Sequence, residues 1–242
     1  MIVLVFLLLW QGSVWLFNLP PYLLPAPSLV ISTLVMNANM YVTATLVTLG
    51  EALVGLLLGL LAAVLIASLL TLRPTMEEGV MTLAILVKST PLVAIAPLLT
   101  LWFGFGVTPK IMIVALVTFF PLLVNLLTGL QRVDRALIDL FKSWNASRWD
   151  IYSNLRAPSS LPFLFAGLKI SAPLALIGAV VAEWTGASSG LGRTMWLAYS
   201  NLNLPYLFAP ILILSLAGML VYRLLVSMEK KCIFWQVNVT DE

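Results

Sequence analysis

Apolar runs long enough to cross a lipid bilayer recur along this chain, and they constrain its fold more than any other feature. A helix needs about 20 mostly apolar residues to cross a hydrocarbon layer of about 30 Å. Such runs cover residues 1–17 (short for a span), 43–70, 79–103, 109–130, 162–184 and 205–228. Hydrophobic residues make up 61% of the 242 and charged ones only 10%. One water-facing core cannot bury that much apolar surface, so lipid must be part of the solvent. The expected fold is therefore an all-α membrane protein with about six transmembrane helices. Residues 1–10 lack a basic flank and a small-residue cleavage site, and read as a retained helix rather than a signal peptide.

The segments between the runs set the organisation. Residues 18–42 are an expected outer loop, broken by Pro20, Pro21, Pro25 and Pro27, with a short surface helix capped by Ser28 and running to Met36. Residues 43–130 hold spans two to four, 131–161 a polar insert, 162–228 spans five and six, and 229–242 a tail. We read all 242 residues as one transmembrane domain. With both termini inside, the inner loops and tail carry Arg73, Arg132, Arg135, Lys142, Arg148, Arg156, Arg223, Lys230 and Lys231. The outer loops then carry only Lys110 and Arg193, which satisfies the positive-inside rule. Trp102, Phe103, Phe105, Trp184 and Trp196 fall near the outer interface in this orientation.

Histidine is absent and Cys232 is the single cysteine. That excludes an internal disulfide, a Cys/His zinc site and histidine acid–base catalysis. The net charge of +3 fits inner loops of a membrane protein better than a nucleic-acid surface. Gly55, Gly59, Ala63 and Ala67 form a smooth stripe at four-residue spacing, which suits close helix packing.

Charged and polar residues inside apolar runs are costly, about 2.5–3.5 kcal/mol on insertion scales, and commonly face a pathway or a partner. Glu51, Lys88, Ser89, Asn125 and Glu183 are candidates on that ground. Pro91 and Pro97 interrupt the third span and free carbonyls where a helix lines a cavity. Counting residues places Glu51 in the outer half and Lys88 in the inner half, so their direct pairing is left open. The alternative for Lys169 and Glu183, near span ends, is snorkelling or interhelical hydrogen bonding.

The insert 132–156 departs most from the apolar composition. Ala136, Leu137, Leu140, Phe141 and Trp144 recur at helical spacing, so an amphipathic helix is expected. Asn145 interrupts it, and Ser147 is placed to cap a second short helix carrying Trp149, Tyr152 and Leu155. Pro158 is expected to stop that helix, with Ser159 or Ser160 capping the fifth span. A solvated topological loop and a docking element for a partner are both open at this point.

The stretch DLFKSWNASRWDIYSNLRAPSSLP, residues 139–162, resembles the EAA loop of ABC importer permeases. Asp139, Leu140 and Phe141 stand at the Glu-Ala-Ala positions, Asn145 at the glycine and Ala157-Pro158 at the Leu-Pro. Asparagine is the residue that best replaces glycine in a left-handed conformation. STPLVAIAPLLTLWFGFG, residues 89–106, resembles the third-span signature of the nitrate/sulfonate/taurine branch. LPFLFAGLKISAPLALIGAVVAEW with TGASSGLG, residues 161–192, resembles that branch's fifth span and following loop. The resemblance extends over about residues 25–226.

The resemblance implies the type I importer permease architecture, with a cytoplasmic coupling helix–turn–helix. It implies a second permease copy, expected as a homodimer, two cytoplasmic ATPase subunits and an extracytoplasmic binding protein, in a bacterial inner membrane. ATP and Mg would be used by the ATPase and no cofactor by this chain, which has no phosphate-loop motif. Residues Asp139, Trp144, Asn145, Ala146, Ser147, Arg148, Trp149 and Asp150 would form the coupling surface, with both tryptophans as apolar anchors and Arg148 and Asp150 as charged complements. Within the branch, AEWTGASSGLG looks most like permeases for pyrimidine thiamine precursors or similar aromatic vitamins. Nitrate, sulfonate, taurine or bicarbonate is the alternative cargo, and a standalone secondary transporter or channel the alternative class.

Two further motifs are set aside. Gly186-Ala187-Ser188-Ser189-Gly190 matches a nucleophile elbow, but that chemistry needs a strand–turn–helix and a base, usually histidine. Asn238-Val239-Thr240 matches a glycosylation sequon on an expected inner tail.

Overall fold

The computed structural model describes residues 2–234, so the Asn238 sequon and the end of the tail lie outside the described residues. The described residues form eleven α-helices: α1 (Ile2–Leu16), α2 (Pro27–Met36), α3 (Ala38–Leu72), α4 (Glu77–Ser89), α5 (Leu92–Phe103), α6 (Val107–Gln131), α7 (Arg135–Ser143), α8 (Arg148–Ile151), α9 (Ala157–Trp184), α10 (Leu191–Ser200) and α11 (Leu204–Cys232). A short 3₁₀ turn, Pro74–Met76, precedes α4, and a π-helical turn, Tyr152–Arg156, joins α8 to α9.

Among the described residues, four helical stretches are long and apolar enough to cross a membrane: Ala38–Leu72, Val107–Gln131, Arg148–Trp184 and Leu204–Cys232. A fifth crossing exists if Pro74–Ser89 and Ala94–Phe103 count as one broken span, since they meet at 99°. The break falls at Pro91, which has no N–H to donate and pushes the residue before it into an extended conformation. Thr90 accordingly has ψ of 128°. The sixth expected span, 1–17, is a helix of only 15 residues, about 22 Å at 1.5 Å per residue.

Helices α3, α6 and α9 form the centre, with α6 between the other two. The small-residue stripe of α3 makes this possible. Gly55, Gly59, Ala63 and Ala67 are all buried. A Cβ on Gly55 would overlap the Val114 side chain, and one on Gly59 would overlap Thr118 and the Ala115 carbonyl. The backbones thus approach as closely as glycine permits, which supplies packing where lipid offers no hydrophobic drive between helices. Below the glycines, Ala63, Ala67 and Leu70 pack with Leu122, Leu123, Leu126, Leu127 and Leu130 of α6. Helix α11 lies outside this trio, tied to α9 by Lys169 Nζ donating to Glu229 Oε2 at 2.9 Å.

Four local expectations are corrected. Pro158 does not stop a helix: the chain stays helical from Arg148 to Trp184, because the π turn just before the proline absorbs the disrupted backbone bonding. Ser160 therefore caps nothing, and its hydroxyl donates to the Ala157 carbonyl at 2.8 Å. Helix α2 begins at Pro27 behind Ala26, with no Ser28 cap. The segment after Gly190, taken as loop, contains α10.

Candidate functional site

Two polar regions stand out, and they occupy opposite ends of the α6–α9 pair. About 21 residues of α6 separate Lys110 from Gln131, roughly 31 Å along the helix axis.

The first region is the insert after α6. Asp134 caps α7 by accepting the Ala136 N–H at 2.9 Å. At the other end Asn145 has φ of 57°. The Asn145 N–H donates to the Lys142 carbonyl at 2.9 Å and the Ala146 N–H to the Phe141 carbonyl at 3.1 Å. This pair of bonds is a Schellman closure, with asparagine at the left-handed position. Ser147 follows at once as the cap of α8. Its hydroxyl accepts the Asp150 N–H at 3.1 Å, and its N–H donates to Asp150 Oδ2 at 2.9 Å. The Ser147 side chain and then its backbone N–H hold the Asp150 carboxyl below the usual carboxylate range. Asp150 is thus engaged within the turn, and Arg148 is the charge left to face outward.

The two short helices are tied to the spans behind them. The Tyr152 and Ser68 hydroxyls share a hydrogen bond of 2.5 Å, linking the turn to α3. Ile151 and Leu155 are buried. Trp149 stacks on Tyr152 with ring centroids 5.4 Å apart. Yet Trp149 is 63% exposed and Trp144 69%, with Leu137 and Leu140 open beside them. Asp139 is exposed and pairs with Lys142 at 3.1 Å, a surface contact of little energetic weight. Ala146, in the turn itself, is half-buried. The result is a rigidly capped turn that presents large apolar side chains outward.

The second region is a buried polar cluster. Lys110 Nζ donates to Glu51 Oε1 between α6 and α3. Thr48 Oγ1 donates to Glu183 Oε1 at 2.7 Å and accepts the Leu191 N–H at 2.8 Å. Glu183 Oε2 accepts the Gly192 N–H. The Glu183 side chain is fully buried, Glu51 is 3% exposed and Lys110 7%. Lys110 is therefore no outer-loop residue, and Glu183 does not snorkel. Charges this deep need partners, and each finds one on another helix. The glycines of the supposed nucleophile elbow have a packing role here. A Cβ on Gly190, where φ is 114°, would fall on the Glu183 carboxylate.

The remaining pathway candidates do not join this cluster. Lys88, Ser89 and Pro91 are exposed at the break between α4 and α5, and Lys88 lies over the Phe120 ring at 4.4 Å. Asn125 is half-buried and donates to its own helix at the Pro121 carbonyl, 2.8 Å away. Sequence reasoning missed Lys110 and Thr48 as parts of a site. The available signal was a lysine in the first turn of an otherwise apolar run.

Comparison with known proteins places these features in a family. The pattern of the "Binding-protein-dependent transport system inner membrane component" family matches residues 55–233. The chain is 34% identical over 234 residues to the formylaminopyrimidine transport permease protein ThiX of Halalkalibacterium halodurans, covering 96% of this chain and 93% of that one. It is 32% identical over 234 residues to the riboflavin transport system permease protein RibX of Chloroflexus aurantiacus, covering 96% and 87%. Its fold matches an inward-facing structure of the MetNI methionine ABC transporter with a TM-score of 0.72 at 18% identity, over 81% of this chain and 97% of that one.

Proposed function

Because this chain belongs to the binding-protein-dependent inner membrane components, the permease subunits of ABC importers, we propose that it carries a small heteroaromatic solute, a pyrimidine thiamine precursor or similar aromatic vitamin. The observation that carries this reading is the likeness to a formylaminopyrimidine permease and a riboflavin permease over nearly the whole chain. The protein itself is a multi-pass, non-catalytic transport subunit.

In this reading the turn 145–150 is the surface on which a cytoplasmic ATPase seats. Trp144 and Trp149 enter apolar pockets of that partner and Arg148 meets its acidic groups, the arrangement expected of interface anchors. ATP and Mg act on the partner. Binding ATP must favour one of two arrangements of the spans, and the insert transmits that preference. Three connections carry it: Tyr152 to Ser68 on α3, Arg156 beside the Leu130 carbonyl at the end of α6, and the unbroken helix from Arg148 to Trp184. The insert and the C-terminal end of α11 lie on the cytoplasmic side, the side that the lysine and arginine distribution favours. A second copy completes the pathway. Lys88, Ser89 and Pro91, exposed at the broken span, line it, whereas Glu51, Asn125 and Glu183 support it from within the subunit.

The test is reconstitution with the cognate ATPase and binding protein, followed by uptake of labelled formylaminopyrimidine, riboflavin and taurine in competition. Uptake of the aromatic solutes, not inhibited by taurine, is expected. Taurine uptake alone would refute the substrate assignment. Trp149→Ala should cut ATPase co-purification and uptake at least tenfold while the protein still inserts. Unchanged values in both would refute the seat at 145–150.

A further inference from the structure

The buried cluster holds two carboxyl groups and one ammonium, an imbalance of one charge among buried side chains. Helix α3 brings Glu51 and Thr48, α6 brings Lys110, α9 brings Glu183, and α10 brings the Leu191 and Gly192 N–H groups. Arg193, the next residue, forms no ion pair among the described residues. Every oxygen of Glu183 has a donor, and so does Glu51 Oε1. Glu51 Oε2 has none, although it is buried. Glu51 follows Thr48, the donor to Glu183, by three positions on α3, which makes the two carboxyl groups neighbours on one helix face. Two ionised neighbouring carboxylates repel, and an unpartnered buried oxygen is costly.

One arrangement removes both defects. We infer that Glu51 is a carboxylic acid that bridges the Lys110 ammonium and the Glu183 carboxylate, with Oε1 accepting from Lys110 and the Oε2 hydroxyl donating to Glu183. One ammonium and one carboxylate then balance, and the orphaned oxygen becomes a donor. Glu183 stays ionised, which suits its role of accepting from Thr48 and from the first turn of α10. The bridge thereby fastens the α9–α10 connection to α3 and α6.

Glutamine mimics the acid form of glutamate and not the ionised form, so the two positions should respond differently. In the purified full-length protein with its partner subunits, Glu51→Gln should keep its thermal midpoint and its uptake rate within about twofold of the parent. Glu183→Gln removes the charge that balances Lys110 and should lower the midpoint by roughly 5 °C. Infrared spectra of the parent should contain an acid carbonyl band that shifts in D₂O and disappears in Glu51→Gln. Equal damage in both variants would overturn the inference. So would a parent spectrum without the acid band, a band lost only in Glu183→Gln, or a midpoint that tracks added sodium instead. If Glu183→Gln fails to assemble, the parent and Glu51→Gln spectra decide alone.

Discussion

Asn145 shows how one side chain sets the shape of a functional element. Its φ of 57° closes α7 and turns the chain directly into the Ser147 cap. Only glycine, and to a lesser degree asparagine or aspartate, adopts this conformation cheaply, while other residues lose about 1–2 kcal/mol there. Asn145→Gly should therefore leave ATPase association unchanged, whereas Asn145→Val should weaken it severalfold, as read by co-purification. The interruption at Asn145 was legible in the sequence, and the left-handed conformation was legible through the resemblance that puts this asparagine at the glycine of the EAA loop. The Glu51–Lys110 contact was not legible. Its partners are separated by 59 positions, and periodicity carries no information about which charge in one span meets which in another.

At the scale of elements, the contact between α3 and α6 is the most sensitive. Gly59 faces the Thr118 hydroxyl and the Ala115 carbonyl with no room for a methyl group. Backbone cannot move aside as a flexible side chain can. Gly59→Leu should destabilise the bundle by about 3 kcal/mol or more, the range of severe overpacking, and reduce the folded yield in detergent. A change at Gly50, which has open space around it, serves as the control and should be neutral. The four-residue stripe was visible in the sequence, but which helix it met was not. The π turn was likewise hidden. Pro158 reads as a helix terminator, and only the tertiary setting, with Ile151 and Leu155 buried on one side, keeps the helix running through it.

Across the whole molecule, the exposed insert and the buried carboxyl cluster sit at opposite ends of the bundle. Cys232 offers a direct test of which end faces inward. It is exposed, is the single cysteine of the sequence and closes α11 beside Lys230 and Lys231. A membrane-impermeant maleimide should leave it unlabelled in right-side-out vesicles and label it in inverted ones. The opposite pattern would place the insert on the outer side and remove the seat for an ATPase. The four long helices were evident from hydropathy, since their apolar stretches far exceed span length. The 15-residue first helix is shorter than a full crossing, and the 99° bend at Pro91 was not foreseen, because hydropathy measures composition and is blind to direction.

The uninterrupted helix from Arg148 to Trp184 also fixes a phase relation. Each residue advances an α-helix by about 100°. Adding or deleting one position anywhere between Ala157 and Glu183 would swing the Glu183 carboxylate away from Thr48 and Gly192, or else turn Tyr152 away from Ser68 on α3. The two ends of this rod are therefore indexed to each other by count, and length polymorphism should be confined to the connections outside it.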